Sequence, residues 1–137
     1  MKLLKIRLLL TFSLVITVCQ SQTIQKEQES ILAGLTGKTS IKNHKPLHDR
    51  YSVENRTIAR TFLGNWIKDL GLNLKEHSYK IDILRKGITK NYEGKNIYTV
   101  VPSTSKSDEY IIIGAHFDSV KDCPGANDNA TGCALVY

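Results

Sequence analysis

The stretch Tyr110-Ile111-Ile112-Ile113-Gly114-Ala115-His116-Phe117-Asp118-Ser119 is followed, after a five-residue loop, by Gly125-Ala126-Asn127-Asp128-Asn129-Ala130-Thr131-Gly132. The first part opens on four large apolar residues with no polar alternation. That pattern predicts a strand over Tyr110–Ala115 covered on both faces, as in a parallel sheet flanked by helices. Polar groups begin where the apolar run stops, at the carboxyl end of that strand, the position at which open α/β sheets gather ligands. His116 and Asp118 are two residues apart, so on extended backbone they point to the same side. An imidazole suits zinc, and a carboxylate beside it can accept the hydrogen bond of the other ring nitrogen and fix the tautomer. Asp128 adds a second carboxylate on a glycine-flanked loop. Each feature also has a purely structural reading: His116 and Asp118 as a pair at a strand end, and Asp128 as an acid at the start of a helix running through Ala134-Leu135-Val136.

Upstream of this stretch the pattern is helical and then alternating. Ile24, Ile31, Leu32 and Leu35 recur at helical spacing, and Gly34 and Gly37 close a short N-terminal helix. Thr39–Ser52 is polar and contains Pro46, and it reads as an extended loop over the body of the domain. His44 and His48 are four apart in it, but the proline between them disfavours a regular helix and leaves two solvated histidines. Val53–Leu70 carries Ile58, Phe62, Leu63, Trp66, Ile67 and Leu70 on one stripe, with Ser52 as N-cap and Gly71 at the C-terminal left-handed position. Trp66 on that stripe reads as packing and not as a platform for substrate. Tyr79, Ile81 and Ile83 then alternate with Lys80 and Asp82 in a first strand, Asn96–Val101 forms a second, and Gly87 and Glu93-Gly94 supply turns.

The N-terminus reads as an export signal. Lys2, Lys5 and Arg7 precede an apolar stretch from Leu8 to Val18, too short to cross a bilayer as a helix. Cleavage after Ser21 leaves residues 22–137 as the exported unit, secreted or periplasmic, with no stable membrane insertion. In the rival reading Cys19 becomes the acylated residue of a lipoprotein. Loss of residues 1–21 lowers the formal charge from +6 to +3. No block of Lys and Arg interleaved with aromatics remains, so nothing supports nucleic-acid binding. Cys123 and Cys133 belong to no CxxC pair, which argues against a thiolate zinc site. They either bridge in an oxidising compartment or stay as an exposed loop thiol and a small buried hydrophobe on a helix.

Taken together, Gly114–Ser119 and Gly125–Gly132 resemble the secreted zinc exopeptidase family that includes aminopeptidase Y, the bacterial leucyl aminopeptidases and glutamate carboxypeptidase. The resemblance is specific over Tyr110–Leu135, looser over Val53–Val101, and carried by no motif in residues 22–52. It implies an α/β, three-layer α/β/α fold with a mixed, centrally parallel sheet, of which this chain would hold the first three or four strands. It implies two Zn(2+) ions per complete site, with His116 as ligand to one, Asp128 bridging both, and Asp118 as the catalytic aspartate behind His116. It also implies a cis peptide between Asp128 and Asn129, and peptide substrates with a free N-terminus. The glutamate general base and the remaining ligands of the family are expected beyond Tyr137; Glu93, on a turn, and His77, near the start of a strand in the N-terminal half, do not replace them. The expectation is therefore an N-terminal fragment of a secreted aminopeptidase, without peptidase activity as given. A glutaminyl cyclase-like enzyme and a secreted non-catalytic binding module that keeps the zinc-site residues are the two other readings.

Overall fold

The computed structural model describes residues 22–106 and 108–137; the export signal expected over residues 1–21 lies outside them. Helix α1 covers residues 22–35, and Gly37 stops it in the left-handed conformation at φ 72°. The polar segment of residues 38–52 follows without regular structure and enters α2 (Val53–Asp69). The helix begins where the sequence predicts, with the Ser52 hydroxyl accepting from the Asn55 amide at 3.0 Å. It ends through Leu70 into left-handed Gly71.

Strands β1 (Lys75–Arg85) and β2 (Ile88–Tyr98) form an antiparallel hairpin in unbroken register from Lys75 opposite Tyr98 to Arg85 opposite Ile88. Its two-residue turn has positive φ at both Lys86 (51°) and Gly87 (75°), the backbone that matches the twist of flanking strands. The turn expected at Glu93-Gly94 is absent. Those residues sit inside β2 opposite Lys80 and Tyr79, and the Tyr79 ring covers the Cα of Gly94, where a Cβ would come within 2.3 Å of it. One hairpin face is polar, with Lys80–Glu93 and Lys95–Glu76 ion pairs at 2.5 and 3.4 Å. The other carries Tyr79, Ile81, Ile83, Ile88 and Tyr92, all substantially exposed. After an extended segment, a wide turn over Ala126–Ala130 leads into the short helix α3 (Thr131–Val136).

The core gathers α1, α2, the loop between them and α3. Ile31, Leu35, Ile41, Leu47, Ala59, Ala130, Cys133 and Ala134 are buried, with Ile58, Phe62, Leu63, Trp66, Phe117 and Tyr137 packed against them. The two long helices cross closely at Gly34, where a Cβ would lie 2.7 Å from the Phe62 ring. Trp66 stands edge-on to both Phe62 and Tyr137, at centroid distances of 6.3 and 5.4 Å, so it is a packing residue. The Tyr137 hydroxyl donates to Glu27 at 2.9 Å and closes the chain back on α1.

The described residues therefore contain helices and a two-stranded antiparallel sheet. The expectation for Tyr110–Ala115 needs correction: these residues are extended but join no ladder, and Tyr110, Ile111, Ile112 and Ile113 are 75–93% exposed. Strand burial comes from neighbours on either face, and among the described residues no element covers either side of this run.

Candidate metal centre

Immediately after that extended run, the chain turns inward and anchors itself. Phe117 packs on the core, and Ser119 is nearly buried, its hydroxyl donating to the Cys123 carbonyl at 2.9 Å. Those two inward residues leave His116 and Asp118 on the outward side, as their two-residue spacing predicts. The return path is fixed at Gly125, left-handed at φ 54° and buried. Asp128 (φ −130°, ψ 85°) and Asn129 (φ −139°, ψ 40°) then leave the helical conformation, and the peptide joining them is cis. The Asn129 side chain accepts from the Gly132 amide at 3.1 Å and starts α3.

The result is a histidine ring between two carboxylates. His116 Nδ1 lies 3.2 Å from Asp118 Oδ1, and Nε2 lies 2.9 Å from Asp128 Oδ1. All three side chains are solvent-accessible, Asp128 most of all. A neutral imidazole has one N–H, so when Nδ1 donates to Asp118, the Nε2 lone pair faces an oxygen lone pair of Asp128. A second ring proton or a cation between the two atoms resolves that conflict. Two ligands of one tetrahedral zinc stand about 3.3 Å apart, given metal–ligand bonds of about 2.0–2.1 Å. The 2.9 Å separation is a hydrogen-bond length, a few tenths short of that figure; what suits a metal is the donor chemistry, an imidazole nitrogen facing a carboxylate oxygen. Among the described residues no three His, Cys, Asp or Glu side chains converge as a metal-holding group. His44 and His48 are not drawn to the centre and stay in the 38–52 loop, His77 stacks on Tyr79 at 6.4 Å, and Glu93 is bound to Lys80.

Sequence reasoning overlooked the residue behind the site. Arg50, in the polar loop, is fully buried. Its Nε donates to the Phe117 carbonyl at 2.6 Å, Nη1 to those of Leu35 and Pro124 at 2.5 and 2.6 Å, and Nη2 to that of Gly125 at 3.1 Å. Its main chain is bound as well, with N–H to Ser119 Oγ at 2.8 Å and the carbonyl accepting from the Ser119 amide at 3.4 Å. Burial pushes the guanidinium's pKa down from its ordinary value, opposed chiefly by the nearby Cys133 and Asp118. Asp49 holds the other side of the loop, its Oδ2 accepting from the Asp122 amide at 2.9 Å and Oδ1 from that of Tyr51 at 3.0 Å. Those amide bonds, Tyr51 first, hold its carboxyl below the usual range. Nothing local marks either residue, since a charged pair in a polar loop reads as solvated surface.

Cys123 and Cys133 are both free. Cys133 is buried on α3, burial pushes its thiol pKa up, and it donates to the His116 carbonyl at 3.4 Å. It packs and does not ligate.

Residues 96–137 match the sequence profile described as Peptidase family M28. An aminopeptidase of Pseudomonas aeruginosa is 30% identical over 127 residues, covering 80% of this chain and 21% of its own length. The Mycobacterium tuberculosis protein named "Probable lipoprotein aminopeptidase LpqL" is 32% identical over 69 residues, 50% of this chain and 14% of its own. The mouse endoplasmic reticulum metallopeptidase 1 is 29% identical over 97 residues, 62% of this chain and 11% of its own. No solved structure matches. Residues 96–137 thus carry the pattern of peptidase family M28, and the similarity to aminopeptidases extends over most of the chain. It spans about a fifth or less of the length of these curated relatives.

Proposed function

We propose that this chain supplies the first metal-binding segment of a zinc-dependent aminopeptidase that removes N-terminal residues from peptides outside the cytoplasm. The observation that carries the proposal is the His116 ring held between Asp118 and Asp128, at 3.2 and 2.9 Å. In this reading His116 and Asp128 would hold zinc, Asp128 as the carboxylate common to both ions, and Asp118 would be the catalytic aspartate. Bound zinc would lower the pKa of a water and polarise the scissile carbonyl. Asp118 keeps the proton on His116 Nδ1, so that Nε2 presents its lone pair, and makes the ring a stronger donor. The non-helical backbone at Asp128 brings its carboxylate to the opposite edge of the ring, at Nε2. The open position of all three leaves room for a peptide to approach.

Two donors do not complete a pair of tetrahedral zincs. Residues 22–137 by themselves should therefore bind metal weakly and show no peptidase turnover, the other ligands and the general base lying outside them. Residues 1–21 act in this reading as the export signal. The lipoprotein alternative through Cys19 keeps some support from the lipoprotein name of one relative.

The test is zinc content and release of leucine from leucine p-nitroanilide by the longer, full-length protein that this reading requires, with these residues as its first segment. Wild type should carry close to two zincs and turn over. His116→Ala and Asp128→Asn should lose metal and activity together, while Asp118→Asn should keep most of the metal and lose kcat. A full-length wild type that binds no zinc, or a His116→Ala protein as active as wild type, refutes the proposal. Cyclisation of N-terminal glutamine without hydrolysis would select the glutaminyl cyclase reading. Peptide binding without turnover would select the binding module.

A further inference from the structure

We infer that Arg50 is a positioning residue of the metal centre: its guanidinium sets the separation between the His116 and Asp128 donors by holding both arms of the loop that carries them. The inference deepens the zinc reading above and rests on it.

Such an arrangement is costly. A fully buried guanidinium gives up its hydration, and it persists only where hydrogen bonds replace the lost water. A carboxylate is the usual replacement, and among the described residues no ion pair of Arg50 is found. Four main-chain carbonyls take its place, and their locations are informative. Phe117 directly follows His116. Pro124 and Gly125 lie on the returning arm, four and three positions before Asp128. Leu35 belongs to the last turn of α1, which ties the assembly to the core.

The Gly125 carbonyl makes a second bond, accepting from the Ala130 amide at 3.1 Å and so closing the turn that bears Asp128. One oxygen therefore joins the guanidinium to the Asp128 turn, while Nε joins it to the peptide next to His116. The main chain of Arg50 repeats the link through Ser119, whose hydroxyl in turn binds the Cys123 carbonyl. Both donor-bearing arms are measured against one rigid planar group. Because the guanidinium projects its donors in fixed directions, a lysine ammonium of the same charge cannot reach four carbonyls arranged around that plane. Groups behind metal ligands commonly alter affinity by about 10–100-fold when removed.

The experiment compares full-length wild type, Arg50→Lys and Arg50→Gln, with Ile58→Val as a control that weakens the core away from the site. Zinc affinity is measured by competition with a chromophoric chelator, and geometry by the visible absorption of the cobalt(II)-substituted proteins. The Arg50 variants should bind zinc at least about 10-fold more weakly than wild type and change the cobalt spectrum. Ile58→Val should lower the melting temperature with affinity and spectrum unchanged. Wild-type affinity and spectrum in a folded Arg50→Lys protein would overturn the inference. So would equal losses in the Ile58→Val control, which would reduce Arg50 to general stability. Wild type that binds no zinc would sink the zinc reading first, and this inference with it.

A measurement on wild type keeps the inference falsifiable where the variants fail to fold. In arginine-labelled protein the Nε and Nη protons of Arg50 should be separately resolved and slow to exchange, with and without zinc. A rapidly rotating, solvent-averaged guanidinium would overturn the clamp.

Discussion

Two left-handed glycines provide a controlled test of how tightly the candidate site is built. Gly71, after α2, has φ 74° and open space where a Cβ would go; Gly125, at the return of the site loop, has φ 54° and none. A Cβ on Gly125 would stand 2.7 Å from the Asp128 carbonyl oxygen, 2.8 Å from Arg50 Nη2 and 2.8 Å from Ser119 Cβ. Placing alanine in left-handed backbone costs about 1–2 kcal/mol, and lower freedom of the unfolded chain returns about 0.4–1 kcal/mol. Gly71→Ala should therefore cost about 1 kcal/mol or less. Gly125→Ala carries the same backbone terms plus about 1–3 kcal/mol of overpacking. Two of the three clashing groups cannot move cheaply, one being main chain and the other a guanidinium held by four bonds. The total is about 2–4 kcal/mol. Urea denaturation of the 137-residue chain and its variants, followed by the fluorescence of Trp66, its single tryptophan, reads the difference. With a slope of about 1–3 kcal/mol per molar, the Gly125→Ala midpoint should fall about 1 M further than that of Gly71→Ala. Equal midpoints would refute close packing at the turn, and with it the claim that residues 50, 119 and 128 close around Gly125.

Other consequences are more local. Ser52→Ala removes the acceptor for the Asn55 amide and should cost about 1 kcal/mol in the same assay, as helix caps do. Asp49 has a depressed carboxyl pKa, so the stability it contributes is fully present above its ordinary value near about 3.9 and is lost as pH falls through the lower folded value. Acid titration of Asp49→Asn should show a shallower loss of stability over that window than wild type; parallel curves would dismiss the link to Asp122. Iodoacetamide on the native protein should modify Cys123 and spare Cys133, whose buried thiol is held protonated. Reduction should reveal no bridge between the two by mass.

Local interactions account for what the sequence made legible. Val53–Asp69 announces itself through a cap, a 3–4 spacing and a terminal glycine, all within a few residues of the helix they define. Of the hairpin, the first strand and the turn at Gly87 are legible, but the second strand, expected over Asn96–Val101, runs over Ile88–Tyr98: a glycine that permits a turn, as at Glu93-Gly94, also serves beneath an aromatic ring, and only the Tyr79 partner across the strand decides between them. Tyr110–Ile113 shows a different limit. Its composition records a preference for burial, whereas burial itself depends on which surfaces meet it.

The same distinction runs through the site. His116, Asp118 and Asp128 were legible because chemistry-bearing side chains at a two-residue spacing and on a glycine-flanked loop form a pattern along the chain. Arg50 was not, because each of its partners in the site loop lies 67 to 75 residues away. Those acceptors are also main-chain carbonyls, which leave no residue-type signature at the other end of the bond. A buried guanidinium answered only by backbone is thus the kind of group that sequence patterns conceal. Burial should be sought first among charged residues in polar loops, where charge alone suggests the surface. In this chain such a loop, without a motif of its own, reaches the two arms that carry His116 and Asp128, and Arg50 is bonded to the main chain of both.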